Sequence, residues 1–186
     1  MLFRSVTECS FEELKKAMDP KMKKKEWLRN LSEDFFLVMQ HPVTTEIEDS
    51  RRGIEETFAA FEEFPNKILA LWPNIDAGSE QIAQSIKEFD RRFDERIGIV
   101  GNFPLEVFIN IMRHARVMVG NSSAGVREAC YLGRPVVDIG TRQEGRIKTE
   151  NVIHTTNERV AIRNAIKTHL ARSKRLEPSY TNRKEN

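Results

Sequence analysis

The sequence has little cysteine and no long apolar run, and each absence excludes a class of protein. Its two cysteines, Cys9 and Cys130, do not support a disulfide framework, since Cys130 falls within a predicted helix. The apolar runs have the length of strands, well short of a membrane span, and the first ten residues lack a signal-peptide core. We therefore expect a cytoplasmic protein with no membrane partner.

Net charge is also almost absent. Thirty Lys and Arg residues face 28 Asp and Glu residues, which leaves a formal net charge of +2. Such a balance creates no strong field toward DNA, RNA or a lipid surface, so we expect no nucleic-acid partner. The basic run from Lys21 to Lys25 is interpreted as a solvated segment before the core.

From Phe35 onward, apolar strands alternate with amphipathic helices, which is typical of an α/β domain with a parallel sheet. The predicted strands are 35–40, 67–72, 97–100, 116–119, 136–139 and 152–154. The predicted helices are 46–64, one from about 79, one from 104, one from 122 or 123 to 132, and 158–172. In the common doubly wound order 3-2-1-4-5-6, strands one and four are neighbours, and the loops that follow them share a crevice.

The loop after strand four carries the strongest local signal. Gly120 and Asn121 can take a tight turn, and Ser122 or Ser123 can then cap a helix. Such a turn leaves several backbone N–H groups unpaired beside two hydroxyls and the positive end of a helix dipole, which predicts an anion site, with phosphate as the anion. The alternative is a helix cap with no ligand.

The two ends of the sequence differ from its centre. Ser10 to Glu13 form a capping box that predicts a helix to about Met18, for which the sequence shows no partner layer. We divide the chain into a helical lead-in (1–34), a Rossmann-like domain (35–172) and a polar, frayed tail (173–186). One interpretation of the lead-in is the remnant of an interdomain linker.

Five segments, spread in order from 35 to 154, resemble the UDP-N-acetylglucosamine 2-epimerase family and, within it, the hydrolysing branch of sialic-acid pathways. They are His41-Pro42-Val43-Thr44-Thr45-Glu46, Pro73-Asn74-Ile75-Asp76-Ala77-Gly78-Ser79, 120–128, Gly140-Thr141-Arg142-Gln143-Glu144-Gly145-Arg146, and Glu150-Asn151-Val152-Ile153-His154. The resemblance implies the C-terminal Rossmann-like half of a GT-B-type fold, and a missing N-terminal half as its partner.

The resemblance also implies a substrate site for UDP and UDP-N-acetylglucosamine, with no metal and no cofactor. Ser122 and Ser123 would hold the diphosphate, and Glu128 the ribose hydroxyls, whereas the alternative for Glu128 is a surface helix carboxylate. His41 would reach the phosphates and the sugar and stabilise transition-state charge, so it is the one catalytic candidate. The backbone at Phe103 would meet the uracil ring.

Two further positions complete the set of binding residues implied by the resemblance. Asn74 and Arg142 match positions that contact the nucleotide. Arg142 could pair with phosphate through two parallel hydrogen bonds, and its alternative is a loop cation that bridges two segments.

The implied reaction is loss of UDP across C1 and C2 of the sugar, followed by addition of water to the glucal, which yields N-acetylmannosamine. The acid and base carboxylates of the family sit in the other half, so this chain is expected to bind without turnover. The full-length protein is expected to be a homo-oligomer.

Three other interpretations of the function remain open. A GT-B glycosyltransferase shares the phosphate turn and the helix glutamate. A non-hydrolysing epimerase would normally show a His-Arg-Arg-Glu-type segment where this chain has His41-Pro42-Val43-Thr44. A non-catalytic nucleotide-sugar-binding module would need no acid or base residues.

Overall fold

A computed structural model describes residues 6–17, 31–32, 34–43, 45, 47–73, 78–93 and 96–172. The Lys21 to Lys25 run, Asn74 and the predicted tail from 173 lie outside these described residues. None of the helices in the described ranges is long and apolar enough to cross a membrane.

Six strands form one parallel sheet in the order β3-β2-β1-β4-β5-β6, so the predicted doubly wound order is confirmed. The strands are β1 (Phe35–Met39), β2 (Lys67–Leu71), β3 (Ile97–Val100), β4 (Val117–Gly120), β5 (Val136–Ile139) and β6 (Val152–Thr155). Each observed strand end lies within one residue of its predicted position. The winding reverses between β1 and β4, where Phe36 pairs with Val117.

Helices cover both faces of the sheet. They are α1 (Phe11–Ala17), α2 (Ile47–Ala60), α3 (Ser79–Phe93), α4 (Leu105–His114), α5 (Ser123–Val126), α6 (Glu128–Tyr131) and α7 (Arg159–Ala171), with one 3₁₀ turn after α2 at Phe61–Glu63. Pro104 is the N-cap of α4 rather than its first helical residue.

The core consists of two clusters separated by the sheet. Because side chains alternate along a strand, Phe35 and Leu37 of β1 enter one cluster, while Phe36 and Val38 enter the other. Buried residues of α1, α4 and α6 fill the first cluster, and those of α2, α3 and α7 fill the second. Because both faces of β1 are buried, its sequence is a continuous run of apolar residues.

Helix α1 begins with the predicted capping box. The Ser10 N–H donates to Glu13 Oε2 at 2.7 Å, and the Glu13 N–H donates to Ser10 Oγ at 3.2 Å. The expectation that this helix lacks a partner layer is wrong. Phe11 and Leu14 are buried against the sheet, and the side chain of Asn110 in α4 accepts from the Cys9 N–H at 3.3 Å. Helix α1 thus lies on the first core cluster.

The predicted continuous helix from Ser122 or Ser123 to Leu132 is also wrong, because the chain breaks at Arg127 into α5 and α6. In an unbroken helix, the carbonyls of Gly125 and Val126 would accept from the N–H groups of Ala129 and Cys130. The Cys130 Sγ lies 3.7 and 3.4 Å from these two carbonyl oxygens, and its single S–H can donate to one of them at a time.

Candidate functional site

The site lies where the sheet reverses its winding, at the carboxyl ends of β1 and β4. Met39 pairs with Gly120, the last residue of each strand. Gly120 has a φ of 138°, and a Cβ there would lie 2.1 Å from the Met39 carbonyl oxygen. Only glycine therefore allows this close approach, and the loops after β1 and β4 converge as the topology predicts.

A side-chain amide joins these two loops. The His41 N–H donates to Asn121 Oδ1 at 2.7 Å, and Asn121 Nδ2 donates back to the His41 carbonyl oxygen at 2.8 Å. Both residues are buried, with 7% of His41 exposed. The Asn121 side chain thus pairs with both the N–H and the carbonyl oxygen of His41, 80 positions earlier in the sequence. These two bonds fix His41 relative to the serine turn. The sequence alone predicts only a turn at Asn121.

The loop after β5 reaches the same asparagine. Arg142 Nη1 and Gln143 Nε2 both donate to the Asn121 carbonyl oxygen, at 3.2 and 2.8 Å. Arg142 therefore does bridge two segments, as one of its two interpretations held. The bridge also places a guanidinium beside the residue that precedes Ser122. Gln143 is buried and was missed as a site residue, although it stands in the segment from 140 to 146 that carries the resemblance.

At the serine turn, Ser122 is the N-cap of α5, and its Oγ accepts from the Ala124 N–H at 3.3 Å. The Gly125 N–H donates to the Ser122 carbonyl oxygen. The turn therefore offers fewer open donors than expected, namely the N–H groups of Ser122 and Ser123, which have no partner in the described part of the chain. A hydroxyl that accepts one hydrogen bond can still donate its own proton.

The shortness of α5 changes the electrostatic argument. A macrodipole grows from many aligned peptide units, and α5 has four residues. The groups that this turn offers to an anion are thus its N–H and hydroxyl donors, with Arg142 nearby, and the dipole adds little.

Glu128 begins α6, and its side chain is 14% exposed. Its Oε1 lies 4.0 Å from Nε of Arg127, while its Oε2 is buried and has no hydrogen-bond partner in the ranges that the structure describes. Burial raises the pKa of the Cys130 thiol, and the negative charge of Glu128 raises it a little further. Glu128 is thus a largely enclosed carboxylate with unused acceptor capacity.

Phe103 follows β3 with its ring in the first core cluster, and its N–H donates to Asn102 Oδ1 at 2.8 Å. Its side chain therefore packs in the core. Asn74 lies outside the described residues.

A small cleft opens beside His41, between the loops that follow β1 and β5. Its polar lining includes Gln40, His41, Asp49, Thr141 and Asn157. Within the described ranges, no three His, Cys, Asp or Glu side chains are grouped so that they could hold a metal ion.

Two curated relatives match the chain over part of their own length. A Neisseria meningitidis protein named UDP-N-acetylglucosamine 2-epimerase is 37% identical over 134 residues, which is 72% of this chain and 35% of the relative. A Legionella pneumophila protein named UDP-N,N'-diacetylbacillosamine 2-epimerase (hydrolyzing) is 32% identical over 117 residues, or 63% of this chain and 30% of the relative. The chain spans about a third of the length of these relatives.

Solved structures and a family model agree with these relatives. The crystal structure of Methanocaldococcus jannaschii UDP-GlcNAc 2-epimerase in complex with UDP-GlcNAc and UDP matches with a TM-score of 0.64 at 15% identity, covering 91% of this chain and 47% of that one. The likeness confirms the fold, a Rossmann-like half of the GT-B type. The model described as UDP-N-acetylglucosamine 2-epimerase matches residues 6–185. The chain therefore belongs to the UDP-N-acetylglucosamine 2-epimerase family.

Proposed function

We propose that this chain is the nucleotide-holding half of a hydrolysing UDP-N-acetylglucosamine 2-epimerase and binds UDP across the carboxyl ends of β1 and β4. One observation carries the proposal, which is the convergence on Asn121. Its amide holds His41, its carbonyl oxygen accepts from Arg142, and its neighbour is Ser122. A diphosphate requires donors and a cation gathered at one point, and this arrangement supports that requirement.

In this proposal, the diphosphate lies over the serine turn. Ser122 and Ser123 supply two hydroxyls and two N–H groups, and Arg142 supplies the positive charge. One guanidinium nitrogen of Arg142 already donates to Asn121. A guanidinium has five N–H donors, so the others can reach phosphate oxygens.

The ribose and the base follow toward β3. The ribose hydroxyls donate to Glu128, whose buried Oε2 would gain the partner that it lacks. An unsatisfied buried acceptor costs about 1–3 kcal/mol, so a ligand that satisfies it recovers part of that free energy. The carbonyl of Phe103 accepts from the uracil ring, and Asn74 contacts the nucleotide.

The chemistry assigns different tasks to the two halves of the enzyme. Elimination breaks the bond from C1 to the diphosphate and removes the proton from C2, which gives a 2-acetamidoglucal and UDP. Water then adds across the double bond and yields N-acetylmannosamine. This chain binds the leaving diphosphate, and His41 stabilises the charge that develops on it. The acid and base belong to a second, N-terminal half, so the 186-residue chain binds without turnover.

Support for the hydrolysing branch comes from the segments 41–46 and 140–143 and from the name of the Legionella relative, which includes that activity. The non-hydrolysing alternative shares the elimination step and differs in whether UDP returns to C1. A difference of about 1.4 kcal/mol changes the ratio of the two outcomes tenfold, so few residues need to differ.

The products of the complete enzyme test this proposal. The test protein joins the N-terminal half of the Neisseria relative to this chain, and we expect it to be a homo-oligomer. It should convert UDP-N-acetylglucosamine to free N-acetylmannosamine and an equal amount of UDP. Proton NMR measures both products. A lasting mixture of two UDP-sugars would place the chain in the non-hydrolysing branch. UDP binding without any product would favour a non-catalytic binding module.

A further inference from the structure

A buried carboxylate lies in the sheet beneath the loop that carries Arg142. Asp138 is the third residue of β5 and is 1% exposed. It stands in register between Gly120 of β4 and His154 of β6, so it belongs to the last full row of the sheet before the ligand edge. A charged side chain at such a position needs a reason, because burial of charge is unfavourable.

Asp138 is linked to the loop by a lysine. Its Oδ2 lies 3.6 Å from Lys148 Nζ and 3.0 Å from His154 Nδ1. Lys148 Nζ also donates to the Gln143 carbonyl oxygen at 3.0 Å, and only 21% of the Lys148 side chain is exposed. The ammonium group therefore ties the sheet to the segment from 140 to 146.

From Gln143, the chain of contacts reaches the centre of the candidate site. The Gln143 amide and the Arg142 guanidinium share the Asn121 carbonyl oxygen, and the Asn121 side chain clamps His41. A shift of the loop that began at Lys148 would therefore move the cation beside the serine turn.

Stability alone gives a weak reason for this arrangement. Asp138 Oδ1 and Gln143 Oε1 are both buried, and neither has a hydrogen-bond partner within the part of the chain that the structure describes. Replacement of a buried ion pair by apolar residues is often neutral or stabilising, whereas such pairs can specify one geometry. Because two buried oxygens lack hydrogen bonds and Lys148 contacts the loop directly, we favour a role in fixing the geometry of the loop over a role in stability.

We propose that Asp138 and Lys148 are positioning residues of the diphosphate site. Their ion pair holds the loop from 140 to 146 so that Arg142 and Gln143 stay on Asn121, with the guanidinium facing the phosphate. The inference rests on the proposed function, since it assigns the diphosphate to this place.

Calorimetry of the 186-residue chain with UDP and with uridine tests the proposal. We expect Asp138→Asn and Lys148→Met each to weaken UDP binding about tenfold and to leave uridine within about twofold, since uridine carries no phosphate. Lys148→Arg should restore UDP affinity. The matched control is His154→Gln, which removes the other neighbour of the same Asp138 oxygen and should change neither ligand.

Amide hydrogen exchange of the loop without ligand gives a second, independent readout. Exchange in 140–146 should be faster in Asp138→Asn and Lys148→Met and unchanged in His154→Gln. Equal weakening of UDP and uridine, or wild-type exchange in both variants, would overturn the positioning role. If the wild-type chain bound no UDP, the proposed function would fail, and the exchange data would still decide the role of the pair. If Asp138→Asn did not fold, Lys148→Met would carry both measurements.

Discussion

At the scale of single residues, Glu128 is the most telling side chain, because its Oε2 is buried and has no hydrogen-bond partner among the residues that the structure describes. An exposed carboxylate on a helix would be solvated and would carry no such imbalance. The side chain of Glu128 is 14% exposed, and its ribose role stays a prediction. A ribose, with two adjacent hydroxyls, matches its two acceptor oxygens.

We predict that Glu128→Gln weakens UDP and uridine equally, because both ligands carry the ribose. Loss of a charged hydrogen bond amounts to about 1.5–3 kcal/mol, so the affinity should fall roughly tenfold or more. Isothermal titration with both ligands measures this, and Glu106→Gln, at an exposed position of α4, is the matched control. Unchanged affinity of folded Glu128→Gln for both ligands would remove the ribose role.

His169 leads to a prediction about pH. This residue of α7 is buried, its Nε2 lies 2.9 Å from the Val136 carbonyl oxygen, and burial, followed by the charge of Arg172, lowers its pKa below the ordinary 6.5. Below pH 6.5 the unfolded chain therefore binds a proton that the folded chain does not. The stability that neutral His169 contributes is present above that pH and is lost as the pH falls toward its folded-state pKa.

Urea unfolding at pH 7.5, 6.5 and 5.5 measures this effect. The free energy of unfolding should fall between pH 6.5 and 5.5 in the wild type. His169→Gln can keep a donor to Val136 but cannot titrate, so its decline over this interval should be smaller. Identical pH profiles of the two proteins would show that His169 does not carry the effect.

At the scale of elements, the serine turn and α5 act as one unit. Ser122 has two tasks, since its oxygen caps the Ala124 N–H and its proton can reach a phosphate. Removal of a cap costs about 0.5–2 kcal/mol of stability, so a lower unfolding temperature is expected in any variant that lacks this hydroxyl. Ligand selectivity must therefore be measured along with stability.

We predict that Ser122→Ala combined with Ser123→Ala brings the affinities for UDP and uridine closer together. The double variant loses both hydroxyl donors to phosphate, while the two N–H groups and Glu128 stay in place. Ser122→Thr retains a hydroxyl and should behave as the wild type. A double variant that still prefers UDP over uridine as strongly as the wild type would contradict the assignment of these serines.

Elements differ in how well the sequence predicts them. The strands were found because apolar runs of four to six residues between helical patterns have few other interpretations. The break at Arg127 is not predicted by the sequence, because no proline or other helix-breaking signal stands there.

At the scale of the whole molecule, topology explains why the site could be placed but not detailed. The doubly wound order brings the loops after β1 and β4 together, so His41 and Ser122 were expected at one crevice. The role of Asn121 depends on hydrogen bonds between its side-chain amide and the backbone of His41, 80 residues earlier in the chain. Local sequence patterns do not predict such a long-range contact. Gln143, Asp138 and Lys148 were missed for the same reason.

We propose that UDP binds at this edge of the sheet, and amide NMR of the 186-residue chain titrated with UDP locates that binding residue by residue. We expect shifts clustered at His41, at Phe103 and along 121–128, which lie at the ends of β1, β3 and β4. Shifts confined to the Lys21 to Lys25 run, or no shift at millimolar UDP, would contradict it.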